Sequence, residues 1–190
     1  MVDTIATSAK KFGTVAKVLH WFTALLIILT LLLSYGLIGP GWEAQHGEEK
    51  YLALTLHSGN GLLVLVLTIF RLLWRRTHSV PPYPIDMPTW QKWASRTTVK
   101  ALYFLLFYQP LVGIAQAVYF TEMDIVPYKL FNLTALAPSD EVAAQFFHAA
   151  HGVGGIALGL LVSLHIAVAF KHLLIDRDGV FQRMLPFGRV

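Results

Sequence analysis

The chain has 190 residues, 55% of them hydrophobic and only 14% charged, with no cysteine. Charged residues normally make up about a quarter of a soluble chain, so this sequence is poorly supplied for a surface facing water. The missing thiols exclude disulfides, iron–sulfur clusters and thioether-linked haem. A net charge of +4 needs no nucleic acid to explain it, because the basic residues are distributed as a topology signal.

The N-terminus is the polar stretch MVDTIATSAKKFGT. The apolar run that follows, 15–37, is too long for a signal-peptide core and lacks a small-residue cleavage site, so it reads as a retained anchor. Three further apolar runs cover about 51–73, 99–119 and 146–173. Each meets the roughly 20 residues that a bilayer crossing needs, and lipid permits only backbone that satisfies itself, here as helix. A water-soluble bundle would need polar stripes that these segments barely have.

Lys10, Lys11 and Lys17 precede or open the first run. Arg71, Arg75, Arg76, Lys92, Arg96 and Lys100 surround the middle connection, and Lys171, Arg177, Arg183 and Arg189 close the chain. The other two connections hold Lys50 and Lys129 beside Glu43, Glu48, Glu49, Glu122, Asp124, Asp140 and Glu141. The positive-inside rule then puts both termini and the middle loop in the cytoplasm. The expectation is one all-α integral membrane domain over 1–190, a four-transmembrane-helix bundle with antiparallel neighbours. VPPYPIDMP in the middle loop predicts an extended connector, with Trp90 and Trp93 as interfacial anchors. In the external stretch 120–145, Ser139 is a candidate helix cap, and Pro110 is expected to kink the third helix.

Eight histidines remain. His46 and His78 fall in loops and read as surface residues. Ionisable side chains inside membrane helices are rare and mark function by default. His20 enters from the cytoplasmic side, whereas His57 and His151 enter from the outside. His165 lies fourteen residues after His151, about 21 Å deeper and only about 40° away around the helix. Depth therefore sorts four imidazoles into an outer level, His57 and His151, and an inner level, His20 and His165. Each level offers two axial ligands from facing helices, as a haem iron needs. Gly61 and Gly155 lie one turn beyond His57 and His151 on the ligand's own face, where a flat porphyrin would meet bare backbone. Close helix packing by small residues is the competing account of Gly152, Gly154, Gly155 and Gly159.

A zinc or copper path is the main rival to haem, since His148 and His151 have i, i+3 spacing. However, the helices supply no carboxylate or thiolate to complete such a site, and there is no HExxH motif. His148 as outer ligand would point roughly 60° away from the His151/His165 face. His172, about 10 Å beyond His165, has two readings. It is either a cation at a helix C-terminus or a proton-handling group beside a quinone. Arg71 and Lys100 are candidates to pair with propionates or to snorkel to lipid phosphate. Tyr103, Tyr108, Gln109 and Gln116 are candidate polar contacts on the third helix.

KVLHW in the first helix, LHSGNGLLVLVLTIFRLLWR in the second and LHIAVAFKHLLIDRDGVFQRMLP at the end together resemble the bacterial cytochrome b561 family, over essentially the whole chain. The resemblance implies a multi-pass protein of the bacterial inner membrane with two b-type haems. His20 and His165 would hold the inner iron, His57 and His151 the outer one. One kind of member oxidises superoxide and reduces ubiquinone, with a histidine matching His172 associated with the quinone site. Others are haem subunits that take electrons from a hydrogenase or dehydrogenase. The resemblance thus implies an oxidoreductase passing electrons from superoxide, or from a periplasmic redox protein, to ubiquinone. The alternative is an electron-transfer subunit docking a separate redox protein. Two features depart from close relatives. The third helix has no histidine, with Val99, Lys100 and Tyr103 in that region. The external connections, seven acids against two lysines, carry a field that repels an anionic donor, with Lys129 as a local countercharge.

Overall fold

A computed structural model describes residues 11–36, 47–120 and 123–186. Lys10, Leu37, Glu43, His46, Glu122 and Arg189 lie outside the described residues. The four apolar runs form four helices: α1 (Thr14–Gly36), α2 (Gly47–Thr77), α3 (Thr89–Val118) and α4 (Glu141–Lys171). All four are long and apolar enough to cross a membrane. Large apolar side chains such as Leu32, Phe70, Phe104 and Leu160 remain exposed along them, as suits a bundle whose outer solvent is lipid rather than water.

The helices outrun the apolar stretches at several ends. α2 begins at Gly47, with Glu48 and Glu49 in its first turn, and ends past Arg75 and Arg76. Acids at the N-terminus and bases at the C-terminus both favour the helix dipole. α3 starts about ten residues before its apolar run, placing exposed Trp90 and Trp93 on helix rather than in the loop. It remains one helix through Pro110. α4 begins at Glu141, and its cap is Asp140, whose carboxylate accepts from the Ala143 N–H at 3.1 Å, in place of the expected Ser139. After Lys171 the chain widens into a π-helical turn, His172–Asp176.

Each helix packs on its sequence neighbours. The Phe12 N–H donates to the Arg183 carbonyl, and the Arg183 guanidinium donates to the Pro82 carbonyl. One end of the bundle therefore gathers both terminal segments and the middle connection. Lys17 is buried and donates to the Leu185 carbonyl at 2.9 Å, while the Trp21 indole N–H donates to the Met184 carbonyl at 2.9 Å. At the other end, Ile125 and Leu133 of the long loop bury against Ala117 of α3. Midway, all four helices contribute to one apolar layer: Leu26, Ile27, Val64, Leu67, Leu106 and Leu158.

Candidate functional site

The apolar layer separates two histidine pairs. On one side of it the rings of His57 (α2) and His151 (α4) have centroids 5.9 Å apart and planes at 77°. On the other, the rings of His20 (α1) and His165 (α4) are 6.2 Å apart at 72°. The structure thus brings together the residues that share a depth. Metal–imidazole bonds of about 2 Å on each side, plus roughly 1 Å per ring from nitrogen to centroid, put two axial rings roughly 6 Å apart. Both pairs have that separation, so both fit a group held between two imidazoles.

His148 is turned elsewhere, exposed and accepting from the Gln116 side-chain amide at 3.1 Å. His78 is exposed and stacked on Trp74, with 3.6 Å between ring centroids.

The glycines divide. A Cβ on Gly61 would meet nothing within 4 Å, which suits a cradle for a flat group. A Cβ on Gly155 would meet the Gln109 amide nitrogen at 3.2 Å, and one on Gly154 would collide with the Gln109 carbonyl and the Tyr108 ring. These two therefore serve the α3–α4 approach. There Gln109 donates to the His151 carbonyl at 2.7 Å and Tyr108 to the Ala150 carbonyl at 3.3 Å. Gly113 was not legible as a site residue. A Cβ there would stand 2.8 Å from Cε1 of His151, so its lack of a side chain makes room for that ring.

The surroundings of the two pairs differ. At the outer pair, Nδ1 of His57 lies 3.0 Å from the Ser34 hydroxyl and its ring also meets the Thr30 carbonyl. The His151 ring faces the Gln109 carbonyl, and its buried Nδ1 makes no close hydrogen bond among the described residues. At the inner pair, the Arg71 guanidinium lies 3.3 Å from Nδ1 of His20 and 5.7 Å above the Tyr103 ring. Arg71 can only donate, so Nδ1 of His20 accepts and the neutral ring carries its proton on Nε2. Were His20 to hold an iron through Nε2, its proton would sit on Nδ1, and the Arg71 guanidinium over Tyr103 would supply a nearby positive charge. Lys100 is exposed.

Beyond the inner pair, Nδ1 of His172 meets the Asp178 carboxylate at 2.7 Å and that of Asp176 at 3.2 Å. Lys171 also pairs with Asp176. In the loop between α3 and α4, hydrogen bonds from Asn132 and Thr134 hold the Asp124 carboxyl below its ordinary range. Tyr128 donates to the side-chain carbonyl of buried Asn60 at 2.5 Å, and burial pushes its phenol up. Its ring presses on Gly59, where a Cβ would stand 2.6 Å from three ring carbons. Tyr128 and Lys129 both have left-handed backbones, φ 46° and 59°, a strain of about 1–3 kcal/mol each. The loop's packing onto α2 offsets it.

The chain matches the family model described as prokaryotic cytochrome b561 over residues 11–187. It is also 26% identical over 185 residues to cytochrome b561 homolog 2 of Escherichia coli (strain K12), covering 93% of this chain and 92% of that protein. Four membrane-length helices, two facing imidazole pairs and a family match across nearly the whole chain lead to one conclusion: the chain belongs to the prokaryotic cytochrome b561 family, membrane electron-transfer cytochromes that use b-type haem.

Proposed function

We propose that the chain is one domain holding two b haems, His57 and His151 ligating the outer iron and His20 and His165 the inner one. It passes electrons from a periplasmic one-electron donor, superoxide or a redox protein, to ubiquinone. The observation that carries this reading is the pair of imidazole couples, each with centroids about 6 Å apart, on opposite sides of a four-helix apolar layer. By the distribution of Lys and Arg, both termini face the cytoplasm of a bacterial inner membrane.

Each haem supplies reversible one-electron chemistry at its iron. The protein's own residues do the rest. Leu26, Ile27, Val64, Leu67, Leu106 and Leu158 exclude water between the levels, so charge crosses there as electrons and not as hydrated ions. His172 is the proposed quinone contact. The carboxylate of Asp178 accepts the proton held on Nδ1, which orients the ring and leaves Nε2 to exchange a proton with a quinone oxygen. Lys129, in the external loop, offers a cation to an anionic donor among the acids around it.

One observation favours the docking alternative. Leu130 and Leu136 in the external loop are 75% and 67% exposed, with Asp140 and Glu141 nearby in sequence. An apolar patch with an acidic rim suits a cationic redox protein. The purified chain in quinone-containing vesicles, supplied with enzymatically generated superoxide, separates the two. Sustained quinone reduction without another protein, lost in His172→Ala at unchanged haem content, is the expected result. Reduction only after a partner is added would establish the docking reading instead.

A further inference from the structure

The hydroxyl of Ser34 settles a proton at the outer pair. Ser34 stands near the end of α1, and its Oγ donates to the Thr30 carbonyl one turn back at 2.8 Å. A serine hydroxyl has a single proton to give, and that bond uses it. Toward Nδ1 of His57, 3.0 Å away, the oxygen can therefore act only as acceptor. The proton of the neutral ring must then sit on Nδ1, leaving the lone pair of Nε2 free. This is the tautomer a metal-ligating histidine requires, and it is supported from another helix by Ser34, twenty-three positions away, together with the Thr30 carbonyl.

The His57 ring also meets the Thr30 backbone carbonyl and the His151 ring that of Gln109, so Ser34 is distinguished as the side-chain acceptor among the described contacts of the pairs. Nδ1 of His20, by contrast, faces Arg71, a pure donor. An acceptor on the remote nitrogen of a ligating imidazole fixes the ring and makes it a stronger electron donor to the metal. A stronger donor favours the oxidised iron and so lowers the reduction potential.

We propose that Ser34 is a positioning residue for the outer haem, holding His57 in its metal-binding tautomer and setting that haem's potential below the value it would have without the hydroxyl. This inference rests on the ligand pairs proposed above.

The test uses the full chain purified from membranes with its haem, in four forms: wild type, Ser34→Ala, Ser34→Cys and Ser34→Thr. Redox titration followed in the haem α band reads each midpoint separately, and the haem-to-protein ratio reads retention. Alanine removes the hydroxyl and leaves only the Thr30 carbonyl, and cysteine keeps the volume but offers sulfur, a weak acceptor. Both are expected to raise one midpoint and leave the other in place, with outer-haem retention weakened roughly 10–100-fold. Threonine keeps the hydroxyl and is expected to restore wild-type behaviour. A role in α1 packing alone would not move one midpoint selectively. The proposal is overturned if both midpoints stay put in alanine and cysteine, or if threonine shifts the same midpoint as far as they do. His57→Ala is the control on the underlying reading. If that variant keeps both haems, the ligand assignment fails whatever Ser34 does. If it loses one while the Ser34 variants are silent, only the role of Ser34 fails.

Discussion

The two histidine levels have nearly the same ring geometry and opposite surroundings. The outer pair has neutral acceptors about it, the Ser34 hydroxyl and Thr30 carbonyl at His57 and the Gln109 carbonyl at His151, beneath a loop rich in acids. The inner pair has a guanidinium against His20, with Lys17 and Arg183 at the same end, where Lys171 is paired with Asp176. A cation near an iron stabilises its reduced, less positive state, while an acceptor on a ligand stabilises the oxidised one. With the two haems proposed above, that asymmetry would place the inner potential above the outer one. Identical ligands can be given different potentials by neighbours that bond to neither metal.

The largest effects should come from removing a ligand. His57→Ala and His165→Ala are each expected to lose one of two haems, a halving of the haem-to-protein ratio, with the surviving spectrum differing between them. If the two variants lose the same component, the division into levels is wrong. Next is Gly113→Ala, whose methyl would press on the His151 ring at 2.8 Å. Overpacking of this kind costs about 1–3 kcal/mol, and it should weaken outer-haem retention while sparing the inner haem. A difference spectrum taken after mild detergent challenge reads that selectivity. Smaller again is Arg71→Gln. One charge near the inner iron contributes on the order of 1–2 kcal/mol at an effective dielectric near 20, or roughly 40–90 mV for one electron. The inner midpoint should fall by that amount and the outer should hold. A fall in the outer midpoint would place Arg71 at the wrong level.

Much of this was legible in the sequence, for a definite reason. Membrane depth converts position along the chain into position along one axis, so counting residues from each helix start was enough to match His57 with His151 and His20 with His165. What lies around the axis was not legible. Ser34 and Arg71 reach their histidines across helix–helix gaps of 23 and 51 residues in sequence, and no local pattern encodes which face of α1 meets which face of α2. Gly113 was missed for the same reason, since its role exists only once α3 lies on α4. In the sequence Gly155 suits a porphyrin cradle or close helix packing alike, and Gln109 of α3 filling part of that space decides for packing. Helix ends were misjudged where hydropathy stops but helix does not. The glutamates opening α2 and the arginines closing it are polar enough to leave the bilayer and well placed to extend the helix. Lys17 looked like a loop charge, but it is a buried tie to the C-terminal segment.

The haem-to-chain ratio of the purified wild-type protein, measured as pyridine haemochrome against quantitative amino-acid analysis, tests the account most directly. Two b haems per chain, both low-spin, is the predicted result. A single haem, or none, would contradict it.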